Sequence, residues 1–180
     1  MTQKQQVKSD HPIEIISPTK QTVPLVFSSP HSGRAYPEEF LQAIQLNSHE
    51  IRRSEDSFVD EIFASVINYG APLLKALFPR AFIDPNREPY ELDPMMFSEP
   101  LPDFVNKRSP RVAVGLGTIA KLVANGSEIY SKKLSFTEAN RRIDNFYRPY
   151  HKALEELIRT TQHQFNRCIL IDCHSMPSVG

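Results

Sequence analysis

The stretch Leu25-Val26-Phe27-Ser28-Ser29-Pro30-His31-Ser32-Gly33 decides the fold. Its apolar start, from Pro24 to Phe27, is too short for a buried helix and reads as a central strand covered on both faces. The strand ends at once in His-Ser and a turn former. A second segment echoes it near the other end of the sequence: Cys168-Ile169-Leu170-Ile171-Asp172-Cys173 runs into His174-Ser175-Met176-Pro177. In an open α/β sheet, ligands gather outside the carboxyl ends of the strands. Two histidines at two strand ends can therefore face one crevice, and imidazole at such a place is a common metal ligand.

Outward from these strands the chain alternates strand and helix signals. Residues 1–11 read as a polar tail, and residues 12–180 as one α/β domain. Ser28 to Pro37 is rich in turn formers. Glu38 to Leu46 reads as a short helix, and Ser48 as the cap of a turn around Ile51. Between Ser57 and Tyr69, the residues Phe58, Val59, Ile62, Phe63, Val66 and Ile67 recur at helical spacing, with Gly70 as the stop. Ala71 to Leu77, Arg80 to Asp84 and Arg111 to Leu116 read as strands. Asp84 to Pro110 is a long proline-rich connection, a type of segment that is often functional. Ser135-Phe136-Thr137-Glu138 matches a capping box and opens a long helix in which Pro149 predicts a kink. This order predicts a three-layer α/β fold with a mixed, largely parallel sheet and helices on both faces.

Bulk properties narrow the function. Lys+Arg and Asp+Glu are both 21, so no excess basic charge points to nucleic acid or a membrane surface. No run of about 18 apolar residues is present to span a bilayer. Met1 to Asp10 has no apolar core of a secretory signal, and the two cysteines, Cys168 and Cys173, sit too close on one extended segment to pair. Both observations suit a cytoplasmic protein with reduced thiols.

Candidate chemistry clusters in few places. His11, His49 and His163 read as solvated, and His151 as a structural hydrogen-bonding group inside the long helix. His31 and His174 read as a metal-binding pair in need of a third ligand. Asp56, in Ser54-Glu55-Asp56-Ser57, is a candidate for that ligand and equally for a helix cap, with Glu55 as its competitor. Asp60 and Glu61 read as solvated helix residues, with Asp60 one turn from Asp56. Arg80, Asn86 and Arg87 offer the forked donors that bind carboxylates or steady an oxyanion. Gly115-Leu116-Gly117 lacks the third glycine of a dinucleotide loop and reads as a tight turn.

Taken together, six segments resemble the N-formylglutamate amidohydrolase family. They are Ser28–Gly33, Glu55–Asp60, Phe78–Glu88, Val114–Thr118, Arg148–His151 and Ile171–Met176, in the family's order and spread over nearly all of the chain after the tail. The resemblance implies a fold like that of the zinc carboxypeptidases and aspartoacylase. It implies zinc (Zn2+) held by His31, Asp56 and His174, with Glu55 as the alternative carboxylate. Arg80 would polarise the scissile carbonyl, and Asn86-Arg87 would receive the substrate carboxylate. The implied substrate is a small N-acyl amino acid with a free carboxylate, N-formyl-glutamate or a relative. The resemblance also implies a general-base glutamate on a segment after His174, beyond Gly180, so the fold is expected to be incomplete at its C-terminus. Two rival readings are a metal-binding domain without turnover, unless a carboxylate such as Asp172 substitutes for the base, and a cysteine amidohydrolase built on Cys173.

Overall fold

The computed structural model describes residues 11–176; the expected tail, apart from His11, lies outside them. Four strands form one mixed sheet in the order β1-β3-β2-β4: β1 (Ile13–Ile16), β2 (Leu25–Ser29), β3 (Leu73–Ala76) and β4 (Ile169–Asp172). β2 runs parallel to both β3 and β4, while β1 pairs antiparallel with β3. β2 is central and buried from Val26 to Ser29, as its unbroken apolar start requires. The edge strand β1 is not among the strands expected from the sequence: it is only four residues long, and Glu14 interrupts its isoleucines. β4 leaves Ile169 and Leu170 half exposed.

Side chains alternate across the sheet and so fill two layers. Leu74 and Ala76 pack with Phe40, Phe82, Ile143 and Tyr150. Phe27 and Leu73 pack on the opposite face with Val59, Ala71 and Cys173. The first face is covered by α5 (Arg148–Phe165) and by Ile143 and Tyr147 of the turn that joins it to α4 (Phe136–Arg142), the second by α2 (Val59–Ile62) and the 3-10 helix Ala64–Tyr69. Helices therefore lie on both faces of the sheet.

Several local expectations change. The first helix, α1 (Glu38–Ala43), stops early because Ile44 pairs with Tyr130. The turn before Ile51 is capped by Asn47, not Ser48: its Oδ1 accepts from the amides of His49 and Glu50, both at 3.0 Å. The apolar repeat from Ser57 to Tyr69 does not form one helix. Phe58 takes a left-handed φ of 66°, so α2 starts only at Val59 and gives way to 3-10 geometry after Phe63. Arg80 to Asp84 is a turn, started by Pro79, whose carbonyl accepts from Phe82 N at 3.0 Å. Arg111 to Leu116 is also not a strand. Ser109 caps a short helix, α3 (Pro110–Ala113), by accepting from Val112 N. The proline-rich connection buries Leu92, Phe97, Leu101 and Val105 in a second apolar cluster with Ile119 and Ala139.

The long helix begins as expected, with Ser135 Oγ accepting from Glu138 N at 3.1 Å. The Glu138 carboxylate does not complete the capping box; it binds Arg141 and Arg142. Ahead of Pro149 the helix widens into a π turn, Ile143–Tyr147. Pro149 has no N–H to donate and its ring crowds the preceding turn, which a wider turn accommodates. Arg142 is almost fully buried (1 % exposed) against the Phe82 ring. Its NH1 donates to the Phe82 carbonyl at 3.0 Å and to the Tyr130 hydroxyl at 2.7 Å. These bonds pin the turn that carries Arg80 and Asp84.

Gly33 explains the ending of the first strand motif. A Cβ there would lie 2.1 Å from the Phe78 carbonyl oxygen, so only glycine lets the loop after His31 pass the backbone beyond β3. Gly33→Ala is therefore expected to lower the urea unfolding midpoint, with a loss of about 2 kcal/mol or more.

Candidate metal centre

His31 leaves β2 into a buried loop, and the segment bearing Asp56 is bonded directly to that loop. Asp56 N donates to the His31 carbonyl at 3.1 Å, and Ser32 Oγ donates to the Asp56 carbonyl at 3.1 Å. The same Ser32 Oγ accepts from Asp60 N. His174 arrives from the other side. β4 pairs with β2 so that Asp172 stands beside Ser28, and Cys173 N donates to the Ser28 carbonyl at 2.7 Å. The two His-Ser motifs thus end side by side, with ring centroids 4.8 Å apart.

Both imidazoles are oriented alike. His31 Nε2 lies 2.7 Å from Asp84 Oδ1, and His174 Nε2 lies 2.8 Å from Asp172 Oδ2. A carboxylate only accepts, so each Nε2 carries hydrogen and each Nδ1 turns toward Asp56. His174 Nδ1 is 2.9 Å and His31 Nδ1 is 3.4 Å from Asp56 Oδ2. His31 Nδ1 is buried and has no hydrogen-bond partner. A buried orphan nitrogen is costly unless something further binds it. Ligand atoms of His31, Asp56 and His174 all lie within 4.8 Å of one another, a group able to hold a metal ion. Two imidazoles and one carboxylate are a donor set suited to zinc with a position left open.

The surrounding charges hold the site in its anionic form. Burial alone would raise the Asp84 pKa, but the His31 bond and the charges of Arg80 and Arg87 outweigh it and keep it well below the usual carboxylate range. Asp56 is likewise lowered: burial opposes this, while the closeness of the His31 ring, the bond from His174 and the Arg80 charge prevail. For His174, burial disfavours the proton, yet its bonds to Asp172 and Asp56 win and raise its pKa. A proton and a metal ion would thus compete for the same Nδ1.

The other candidate residues divide. Arg80 NH2 donates to Asp84 Oδ2 at 2.9 Å, and its NH1 is 3.9 Å from Asp56 Oδ1, so its guanidinium borders the centre. Asn86 donates its backbone N–H to Asp84, and its Nδ2 is 3.4 Å from His174 Nε2. Arg87 is more committed, donating to the carbonyls of Leu116 and Asn86, and it lines a neighbouring groove with Tyr147 and His151. Glu55 faces away from the histidines, toward the Tyr36 hydroxyl, Arg52 and Ser57. Asp56 does not cap α2, whose start has no side-chain cap. Asp60 is buried against Lys75 (3.2 Å) rather than solvated. His151 is structural, its Nε2 2.8 Å from the Pro85 carbonyl. Cys173 is buried, which pushes its thiol up to about 11 and makes it a poor nucleophile.

Two groups were not assigned from the sequence. Asp84 is the partner of His31, and a chain of bonds supports Asp172: Ser28 Oγ contacts Asp172 Oδ1 at 3.1 Å and the Tyr150 hydroxyl at 2.5 Å. An aspartate after the apolar Phe82-Ile83 is a visible signal of a buried carboxylate. Its partner far back in the sequence is not.

Replacing Asp84 by Ala strands His31 Nε2 and Arg80 in a buried place. The expected loss is about 3 kcal/mol in urea unfolding at pH 7. Asp84→Asn isolates the charge. Because the folded pKa of Asp84 lies below its unfolded value, its charge stabilises the fold above that unfolded value. The gap between wild type and Asp84→Asn is therefore expected to shrink as pH falls below about 4.

Comparison with known proteins identifies the fold and the family. Residues 23–180 match the family model of N-formylglutamate amidohydrolase. A crystal structure of N-formylglutamate amidohydrolase from Ralstonia eutropha JMP134 superposes with a TM-score of 0.85 at 36% identity, over 92% of this chain and 58% of that one. The crystal structure of a gene product from Agrobacterium tumefaciens shares the fold, with a TM-score of 0.64 at 17% identity over 94% of this chain and 58% of that one. The chain thus spans 58% of the length of each of these solved structures. Comparison with curated proteins finds no match. The chain belongs to the N-formylglutamate amidohydrolase family.

Proposed function

We propose that the chain serves zinc-dependent hydrolysis of the amide bond of N-formyl-L-glutamate or a related N-acyl amino acid. The products are formate, or the corresponding acid, and the free amino acid. The observation that carries this reading is the buried, partnerless Nδ1 of His31, facing Asp56 and His174. In this reading His31, Asp56 and His174 hold the ion. Asp84 and Asp172 fix the two imidazoles, as carboxylates behind metal-bound histidines commonly do. Zinc in such a site acts as a Lewis acid toward the amide carbonyl and acidifies water toward neutral pH.

Arg80 presents its guanidinium to the oxygen that gains charge as the amide is attacked. Asn86 and Arg87 receive the free carboxylate of the amino acid, Arg87 with the donor capacity left beyond its backbone bonds. No helix among the described residues is long and apolar enough to cross a membrane. Two free cysteines suit a reducing compartment, and a cytoplasmic location is part of this reading.

A second reading, binding without turnover, has its own support. Among the described residues, the carboxylates at the centre are all engaged: Asp56 and Asp84 by histidine and arginine, Asp172 by His174 and Ser28. None is left to act as general base, a role worth about 10²- to 10⁴-fold in rate. Formate release by the zinc-loaded 180-residue chain separates the two readings, turnover favouring the first and its absence the second. Metal analysis after dialysis tests what both share. We expect stoichiometric zinc in wild type and in His163→Ala, and its loss in His31→Ala and His174→Ala. Equal zinc in all four proteins contradicts the ligand assignment. Zinc affinity is also expected to weaken as pH falls through the raised pKa of His174, because the proton and the ion share Nδ1.

A further inference from the structure

The candidate centre opens into a cavity of about 400 Å³ whose other end has no assigned role. Asp56, Arg80 and Asp84 line one end. Ala120, Leu122 and Ala124 form an apolar wall, and Arg53 stands on the lining with them. The wall is fixed to the short 3-10 helix Ile51–Ser54, because Ser54 Oγ accepts from Ala124 N at 3.2 Å. Arg53 is thereby held beside the cavity by its own backbone.

Its charge is unspent. The neighbouring Arg52 is bound through Nε and NH2 to Glu55, and Glu55 is further bound by Tyr36 and Ser57. Arg80, the other guanidinium on the lining, is committed to Asp84. The Arg53 guanidinium makes no hydrogen bond or ion pair with the described residues, and only its backbone N–H is engaged, by the Glu50 carbonyl. Charge balance points the same way. A divalent ion with Arg53, Arg80 and Arg87, set against Asp56, Asp84 and Asp172, leaves two positive charges in excess. A dicarboxylate neutralises that excess.

We propose that Arg53 binds the side-chain carboxylate of the substrate and makes the site selective for acidic N-acyl amino acids. The methylenes of such a side chain lie along Ala120, Leu122 and Ala124, and the carboxylate meets the Arg53 fork, a geometry guanidinium favours. This proposal rests on the amidohydrolase reading above and adds the feature that separates a glutamyl side chain from a neutral one.

Calorimetric titration of the zinc-loaded protein with N-formyl-L-glutamate and N-formyl-L-glutamine tests it, with formate followed in parallel. The two side chains have the same length and differ in charge. Arg53→Gln is expected to weaken N-formyl-glutamate about tenfold and to leave N-formyl-glutamine nearly unchanged. Arg53→Lys is expected to keep part of the preference. Arg111→Gln, at an exposed arginine in the neighbouring groove, is expected to leave it intact. Equal weakening of both ligands, no weakening, or a selective loss in Arg111→Gln instead overturns the proposal. If the unsubstituted protein binds both ligands without preference, the proposal falls while the amidohydrolase reading stands. If it binds neither, both fall together.

Discussion

Two imidazoles, each with its Nε2 on a carboxylate of its own, turn their Nδ1 atoms onto a third carboxylate. Everything around the candidate centre serves that arrangement. Asp84 fixes His31 from the turn after β3, and Asp172 fixes His174 from the end of β4. Asp56 closes the group from the segment between them. A cluster of three carboxylates in so small a volume is unfavourable without compensating cations. Arg80 and Arg87 supply part of that compensation. The orphaned nitrogen of His31 marks where more is needed.

The scaffold delivers this geometry through the sheet. Parallel pairing of β4 with β2 sets Asp172 beside Ser28, so both strands end at the same level. The Tyr150 hydroxyl reaches from α5 to Ser28 and anchors the same register from the helical layer. Arg142, buried under Phe82, holds the Pro79 turn from that layer too. One long helix thus steadies both the Asp172 and the Asp84 sides of the centre. Gly33 and Ser32 do the equivalent work for His31, one by letting backbones pass and the other by bonding the Asp56 segment.

Much of this was legible in the sequence, for physical reasons. β2 and β4 are short apolar runs with abrupt polar ends, and such runs have few alternatives to a buried strand. The Ser135 cap and the apolar stripe behind it marked the long helix. The misreadings share a cause: local pattern was outweighed by contacts distant in sequence. Phe58 to Tyr69 has helical spacing, yet a left-handed Phe58 starts α2 late and the following turns tighten to 3-10. Arg80 to Asp84 has a strand-like apolar centre, yet Pro79 and the Arg142 bond make it a turn. In the site, residue types at strand ends pointed to His31 and His174, but Glu55 and Asp56 were adjacent and locally equivalent. Only the three-dimensional arrangement separates them, by turning Glu55 to Tyr36 and Arg52. Asp84 and Arg53 were unreadable for the same reason, since their significance lies in what they face.

The central claim is that these three side chains form a zinc site of two imidazoles and one carboxylate. X-ray absorption at the zinc edge of the loaded protein tests it most directly. The account predicts a first shell of nitrogen and oxygen only, at about 2.0–2.2 Å, with the outer-shell scattering of two imidazoles. A sulfur shell near about 2.3 Å, which would place Cys173 or Cys168 on the metal, contradicts it. So does a shell of oxygens without imidazole.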